Sequence, residues 1–334
     1  MQKTLDEKLA RIAADPGCRD FILADAKDAD MAFGLAAPGL KRQPTDGQSP
    51  FHSIHDYRAN IRAIVEQQLV DIMLMSASTS DVLAARERLF ESGPITPAIR
   101  ANDTSDIWLA GTQAAYGKQP SMPFRTAIID EVIGANASGI VAPGQPPVNL
   151  GLYSITLNND VALDHTTLSA YRVFREEAWR KGFRHFLEVF PPNAPASPIK
   201  DVPRFVNDSI VRLLAGVGKA TRPLFLKIPY FGPAAMEQLA SYDSSLVVGI
   251  LGGSAGTTFD AFQMLWEAKR YGARAALFGR KINTADHQLS FVEQLRALAD
   301  GHTEPAEAVR AYHGELKKLG IAPVRPLAED LQPQ

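Results

Sequence analysis

Cysteine is almost absent from this chain. Cys18 stands alone among 334 residues, which excludes an internal disulfide framework and a cysteine-built metal cage. A charge excess is absent too: 35 lysines and arginines meet 37 aspartates and glutamates, a formal net charge of −2. No basic field therefore recommends nucleic acid or an anionic membrane as a partner. Long hydrophobic runs are missing, and none approaches the length that spans a bilayer. Residues 1–14 alternate charged and apolar side chains at helical spacing, without the apolar core and cleavage site of a secretory signal. The expected location is the cytoplasm.

What is present suits a large packed core: 46% of the residues are apolar and 22% charged. The length fits one large domain or two small ones. Apolar runs near residues 21, 70, 95, 150, 183, 224, 246 and 273 read as strands. Leu5, Leu9 and Ile12 predict an opening helix, stopped at Asp15-Pro16-Gly17. Further helical periods cover 57–69, 81–91, 165–181, 202–214, 233–241, 258–271, 286–298 and 305–319, and a tail of 321–334 follows. Residues 39–49 are polar and rich in glycine and proline, and read as a loop. Residues 105–149 have no clear period and read as an irregular insertion between the third and fourth strands. Such long loops usually serve as lids or subunit contacts.

Eight strand–helix units in one chain predict a (β/α)8 barrel, an α/β fold, as a single domain over residues 1–320. Strand 246–251 is apolar on both faces, as in a parallel sheet covered by helices. An open doubly wound sheet is the alternative, and its fingerprint is a glycine-rich turn after an early strand. The glycine-rich turn here, Gly252-Gly253-Ser254-Ala255-Gly256, follows the seventh strand instead, where a barrel holds an anion.

The stretch 223–229, Pro-Leu-Phe-Leu-Lys-Ile-Pro, sets one lysine, Lys227, in an apolar strand closed by prolines. A desolvated amine loses part of its charge and becomes a nucleophile for carbonyls. The strand before it carries one carboxylate, Glu188, also in an apolar run. Neighbouring parallel strands lie about 4.8 Å apart, so these groups could share one substrate atom. An amine beside a proton shuttle is what imine chemistry requires. The competing possibility is a buried ion pair without chemistry, a poor route to stability. Other polar residues at strand ends are Asp25, Lys27, Arg100, Asn102 and Asn158, which we expect to contact substrate. Gly252, Gly253 and Ser254 with Gly279 and Arg280 form a second set. Its backbone amides can converge on an anion, and its arginine can fork onto it. Thr257 and Thr258 can cap the following helix, whose N-terminus favours negative charge.

Residues 183–283 resemble a class I, Schiff-base aldolase barrel. The likeness is to tagatose-bisphosphate and sulfolactaldehyde-releasing aldolases, and more distantly to archaeal-type fructose-bisphosphate aldolases. Phe186-Leu187-Glu188-Val189 precedes Leu226-Lys227-Ile228-Pro229 in the family's order. The resemblance implies that Lys227 forms the imine, that Glu188 shuttles protons, and that the two glycine turns grip phosphate. Asp25-Ala26-Lys27 resembles the acidic-then-basic pair after the family's first strand. The likeness covers the C-terminal third well and residues 20–35 loosely. Three features depart from it. Strand 150–157 lacks a lysine found there in several such aldolases, residues 105–149 have no recognised counterpart, and Glu188 stands where archaeal-type enzymes use a tyrosine.

The resulting expectation is a carbon–carbon lyase acting on a small sugar phosphate or a related anionic keto or aldehyde compound. It would use no cofactor and no metal, and would self-associate as aldolase barrels do. A metal-dependent barrel lyase is one rival, but His52, His55, His165 and His185 lack metal-site spacing at strand ends. A non-catalytic sugar-phosphate sensor is the other, and it has no need of both Glu188 and Lys227.

Overall fold

The computed structural model describes residues 2–15, 17–41, 49–110, 117–134, 146–253 and 256–334. Eight parallel strands close into a barrel in sequential order. They are β1 (Ile22–Lys27), β2 (Ile72–Met75), β3 (Thr96–Arg100), β4 (Leu150–Thr156), β5 (Arg184–Phe190), β6 (Leu226–Ile228), β7 (Val248–Leu251) and β8 (Ala275–Phe278). Long helices such as Val161–Arg180, Val202–Ala215 and Thr258–Arg270 follow the strands and cover the outside. Among the described residues, no helix is long and apolar enough to cross a membrane.

Alternation along each strand splits the core into two layers. Ile22, Ala24, Ile72, Leu74, Ala98, Leu150, Leu152, Phe186, Phe225 and Leu277 fill the barrel interior. Leu23, Met73, Ile99, Tyr153, Leu187, Leu226, Ile250 and Phe278 pack outward against the helices. Both faces are therefore apolar, which is why the strands were readable. Leu5 and Ile12 of the helix Thr4–Ala14 join the interior layer, and Lys8 bonds Asp71 and the Phe21 carbonyl. The opening helix so closes the bottom of the barrel, leaving the C-terminal strand ends as the mouth.

Three expectations change. Strand β1 is not confined to the apolar run near residue 21 but continues through Asp25 to Lys27. The predicted helix 81–91 starts earlier and stops sooner, as a short α-helix, Ala77–Ser80, that continues into a π-helix, Asp81–Arg86. The C-terminal segment folds back as the helix Leu327–Asp330, with Asp330 buried. Within 105–149 the described elements are short: helices Ser105–Ala110 and Ile129–Val132, and a two-residue strand Pro123–Phe124 paired with Asp103–Thr104.

The longer β1 decides where two expected site residues go. Ala24 and Ala26 point inward, so Asp25 and Lys27 point outward, between barrel and helices. Both are fully buried there. Lys27 Nζ lies 3.5 Å from Asp25 Oδ2 and donates to Gln288 Oε1 at 2.8 Å. Burial pushes the Asp25 carboxyl up to about 6, with Lys27 opposing, and burial also lowers Lys27 below the ordinary lysine value. An unfolded aspartate titrates near 4, so between about pH 4 and 6 the folded state holds a proton that the unfolded state has lost. This contribution to stability is present at low pH and disappears as pH rises through 6. Relative to Asp25→Asn, the wild type should lose roughly 1.4 kcal/mol per pH unit across that window, measured by urea unfolding. A difference that is flat with pH would contradict the burial of an ionisable Asp25.

Candidate active site

The strand register builds the site. Glu188 on β5 pairs with Lys227 on β6, and Ser154 on β4 pairs with Glu188. All three are on the inward face, two residues above the interior apolar layer. Beneath Glu188 and Lys227, the rings of Phe186 and Phe225 stack 4.5 Å apart and form an apolar floor. Lys227 Nζ sits 2.6 Å from Glu188 Oε1, and the residues are 6% and 1% exposed. Next in the register stands Gly249. A Cβ there would come within 2.6 Å of the Leu226 carbonyl and 2.8 Å of Ala275 Cβ, so only glycine fits between β6 and β8 at this level.

Glu188 is held from its other oxygen. Ser154 Oγ donates to Oε2 at 2.6 Å and Arg100 Nη2 at 3.3 Å. Arg100 also donates from Nε to Asp28 Oδ2 at 2.6 Å and from Nη1 to Ser154 Oγ at 2.9 Å. Burial disfavours the Arg100 charge, but Asp28 and Glu188 outweigh it and raise its pKa. Burial likewise opposes ionisation of Asp28, but Arg100 and Lys227 prevail and hold its pKa below the ordinary value. Asp28 is thus a fixed anion at neutral pH.

The cavity above this layer is lined by Asp28, Arg100, Glu188 and Lys227, by Leu251, Gly252, Gly253, Gly279 and Arg280, and by an apolar side that includes Phe33 and Ile107. Gly252 approaches Phe278 so closely that a Cβ would meet its ring at 2.2 Å, and Gly253 has φ +57°. The arginine of the second turn lies over the Phe33 ring at 5.6 Å. The Arg280 side chain makes no hydrogen bond or ion pair with any described residue, while its backbone carbonyl accepts from Thr284; burial lowers its pKa, with Glu188 opposing. Ser254 falls outside the described residues.

The expected site residues therefore divide. Lys227, Glu188, Arg100, Gly252, Gly253, Gly279 and Arg280 come together around one cavity. Asp25 and Lys27 do not, and Asp28 holds the place expected of Asp25. Asn102 supports the site from behind: its side chain donates to the Ser154 carbonyl at 2.8 Å and accepts from the Ser154 amide at 2.6 Å. Asn158 is a loop clamp, accepting from the Asn193 and Ala194 amides and donating to Asn193 Oδ1. Ser154 was missed. The polar residues Ser154, Thr156 and Asn158, alternating toward the end of β4, were the signal that could have found it.

The N-terminus of the helix after β7 is capped from within the chain. Thr257 and Asp260 form a capping box, and the Thr258 amide donates to Asp330 Oδ1 at 2.8 Å. Arg325 adds a bond to the Gly256 carbonyl, and Thr257 Oγ1 donates to the Gln332 carbonyl. The C-terminal segment thus braces the end of the glycine turn. His185 is a core residue, bonded to Tyr171 at 2.8 Å, and burial pushes its pKa down to about 3. Among the described residues, no group of three or more His, Cys, Asp and Glu side chains could hold a metal ion.

No family model and no curated protein matches the sequence. Solved structures do match in fold. An archaeal fructose 1,6-bisphosphate aldolase has a TM-score of 0.61 at 15% identity, over 89% of this chain and 100% of its own. A Schiff-base-forming fructose-1,6-bisphosphate aldolase gives 0.60 at 16%, over 89% and 99%. The fructose-bisphosphate aldolase from Slackia heliotrinireducens gives 0.62 at 16%, over 93% and 91%. The chain therefore has the eight-stranded barrel fold of these aldolases.

The brace predicts a local effect. Deleting residues 323–334 should speed amide hydrogen exchange at Thr258 by roughly tenfold or more, as expected for a lost charge-assisted bond of about 1.5–3 kcal/mol. Unchanged protection would show that the segment does not hold the turn.

Proposed function

We propose that this protein is a class I aldolase that cleaves or forms a carbon–carbon bond through an imine on Lys227. The observation that carries the proposal is the 2.6 Å contact between Lys227 Nζ and Glu188 Oε1 at a cavity floor. Lys227 is also the one lysine among the described residues lining that cavity. The fold shared with Schiff-base aldolases supports the reading.

The contact suits every step. With its proton passed to Glu188, Lys227 Nζ adds to a substrate ketone, and the carbonyl oxygen takes up a proton to give a carbinolamine. Glu188, now the acid, protonates the departing hydroxyl, and water leaves as the C=N bond forms. The iminium then draws the electron pair of the breaking carbon–carbon bond while a carboxylate accepts the proton of the neighbouring hydroxyl. An aldehyde leaves and an enamine remains. Protonation of its carbon and hydrolysis of the imine restore the lysine. Arg100 and Ser154 fix the Glu188 oxygen that faces away from the lysine, so its other oxygen stays aimed at Nζ. The anionic group of the substrate falls to Arg280 and the Gly252-Gly253 and Gly279 turns. A metal-lyase reading is less suited, since both cavity carboxylates already pair with Arg100 or Lys227.

Three variants test the assignment by steady-state cleavage of a ketose phosphate. Lys227→Met, similar in volume, should abolish turnover in a folded protein. Glu188→Gln keeps the shape but cannot titrate, so kcat should fall about 10²–10⁴-fold. A Glu188→Gln enzyme within a few-fold of wild type would reduce Glu188 to an anchor for the lysine. Arg280→Ala should cost about 1.5–3 kcal/mol in kcat/KM for an anionic substrate and little for an uncharged analogue. Equal losses for both would argue against direct contact.

A further inference from the structure

We propose that the substrate carries one anionic group only, and that its far end is uncharged and poor in hydroxyls. The inference rests on the aldolase reading above and narrows its substrate class.

Charge in the cavity leads to the first half. Its ionisable side chains are Asp28, Glu188, Arg100, Lys227 and Arg280. Three cations face two carboxylates, so one positive charge is unbalanced. That charge is Arg280, because the other two cations are engaged. Arg100 uses Nε, Nη1 and Nη2 on Asp28, Ser154 and Glu188. Lys227 is paired with Glu188, and conversion to an iminium keeps its positive charge. Lys27, which could have received a second anion had it faced the mouth, is sealed behind the barrel wall against Asp25 and Gln288. Lys281 is turned away, donating to the Gly256 and Thr257 carbonyls. Of the segments outside the described residues, only 42–48 contains a lysine or arginine, Arg42. Among the described residues, a second phosphate would find no free counter-charge in this low-dielectric cavity beside Asp28 and Glu188.

The wall itself leads to the second half. Ala29, Ala32, Phe33, Ile107 and Phe190 line the cavity with aliphatic and aromatic surface. The helices Asp30–Phe33 and Ser105–Ala110 pack together above the mouth and carry three of these residues. Hydroxyls buried against such a wall lose water without gaining a partner, whereas a methyl or methylene gains contact. The geometry thus fits a ketose monophosphate that releases a small deoxy aldehyde, in contrast to the bisphosphate named for the fold neighbours.

The test uses the wild-type protein and three matched ketoses: fructose 1-phosphate, fructose 1,6-bisphosphate and 6-deoxyfructose 1-phosphate. Aldehyde release gives kcat/KM, and whole-protein mass after borohydride reduction reports the imine. The expected order places 6-deoxyfructose 1-phosphate first and the bisphosphate last, at least about tenfold below the monophosphate. Ala32→Lys, which puts a cation on the apolar wall, should narrow that gap. Imine formation with all three but a preference for the bisphosphate would overturn the inference and leave the aldolase reading standing. No adduct with any of them would overturn the aldolase reading, and the inference with it.

Discussion

The structure depends on one buried ion pair. Glu188 and Lys227 face each other across neighbouring strands, in register and on the inward face, above a stacked phenylalanine floor. Two charges so placed contribute little net stability, because desolvation offsets much of their attraction. Leaving either one alone would cost far more. The surrounding residues follow from this constraint. Arg100 and Ser154 occupy the second carboxylate oxygen, Asp28 balances Arg100, and Asn102 fixes the backbone of Ser154. Every buried charge in the layer has a partner, so the lysine is presented in one orientation at the cavity floor.

The same logic separates this layer from a second buried pair a short way off. Asp25 and Lys27 are as deeply buried, yet they sit on the outer face of β1. Their carboxylate lacks a hydrogen-bond partner, and the lysine bonds to Gln288. Nothing there opens to substrate. Asp28, one residue later and on the other face, reaches the cavity instead. A shift of one position along a strand moves a side chain from solvent channel to packing layer, because the period is two.

That parity explains what the sequence made readable. The eight strands stood out because both of their faces are apolar, and Glu188 and Lys227 stood out because each interrupts such a run. The glycine turns were legible from Gly252-Gly253 and Gly279-Arg280; close approach excludes a Cβ at Gly252 and Gly279, and Gly253 has a positive φ. Asp25 was misplaced because the charged run 25–30 reads as the C-terminal end of a strand, facing the mouth, although the strand continues into it to Lys27. Ser154 escaped because its alternation with Thr156 and Asn158 marks a shared face but not a role, which its neighbours across the sheet decide. The role of the C-terminal segment was hidden as well. Asp330 reaches Thr258 across 72 positions, and no local pattern marks such a contact. The short elements of 105–134 follow no period, since Asp103 and Asp106 anchor them by hydrogen bonds to Thr126, Ser121 and Thr156.

The central claim is that the lysine beside Glu188, and no other, forms the covalent intermediate. Borohydride reduction in the presence of a ketose phosphate, followed by proteolysis and peptide mass mapping, tests it most directly. The account predicts a reduced ketone adduct on the peptide that contains Lys227. An adduct on Lys27 or another lysine, with Lys227 unmodified, would contradict it.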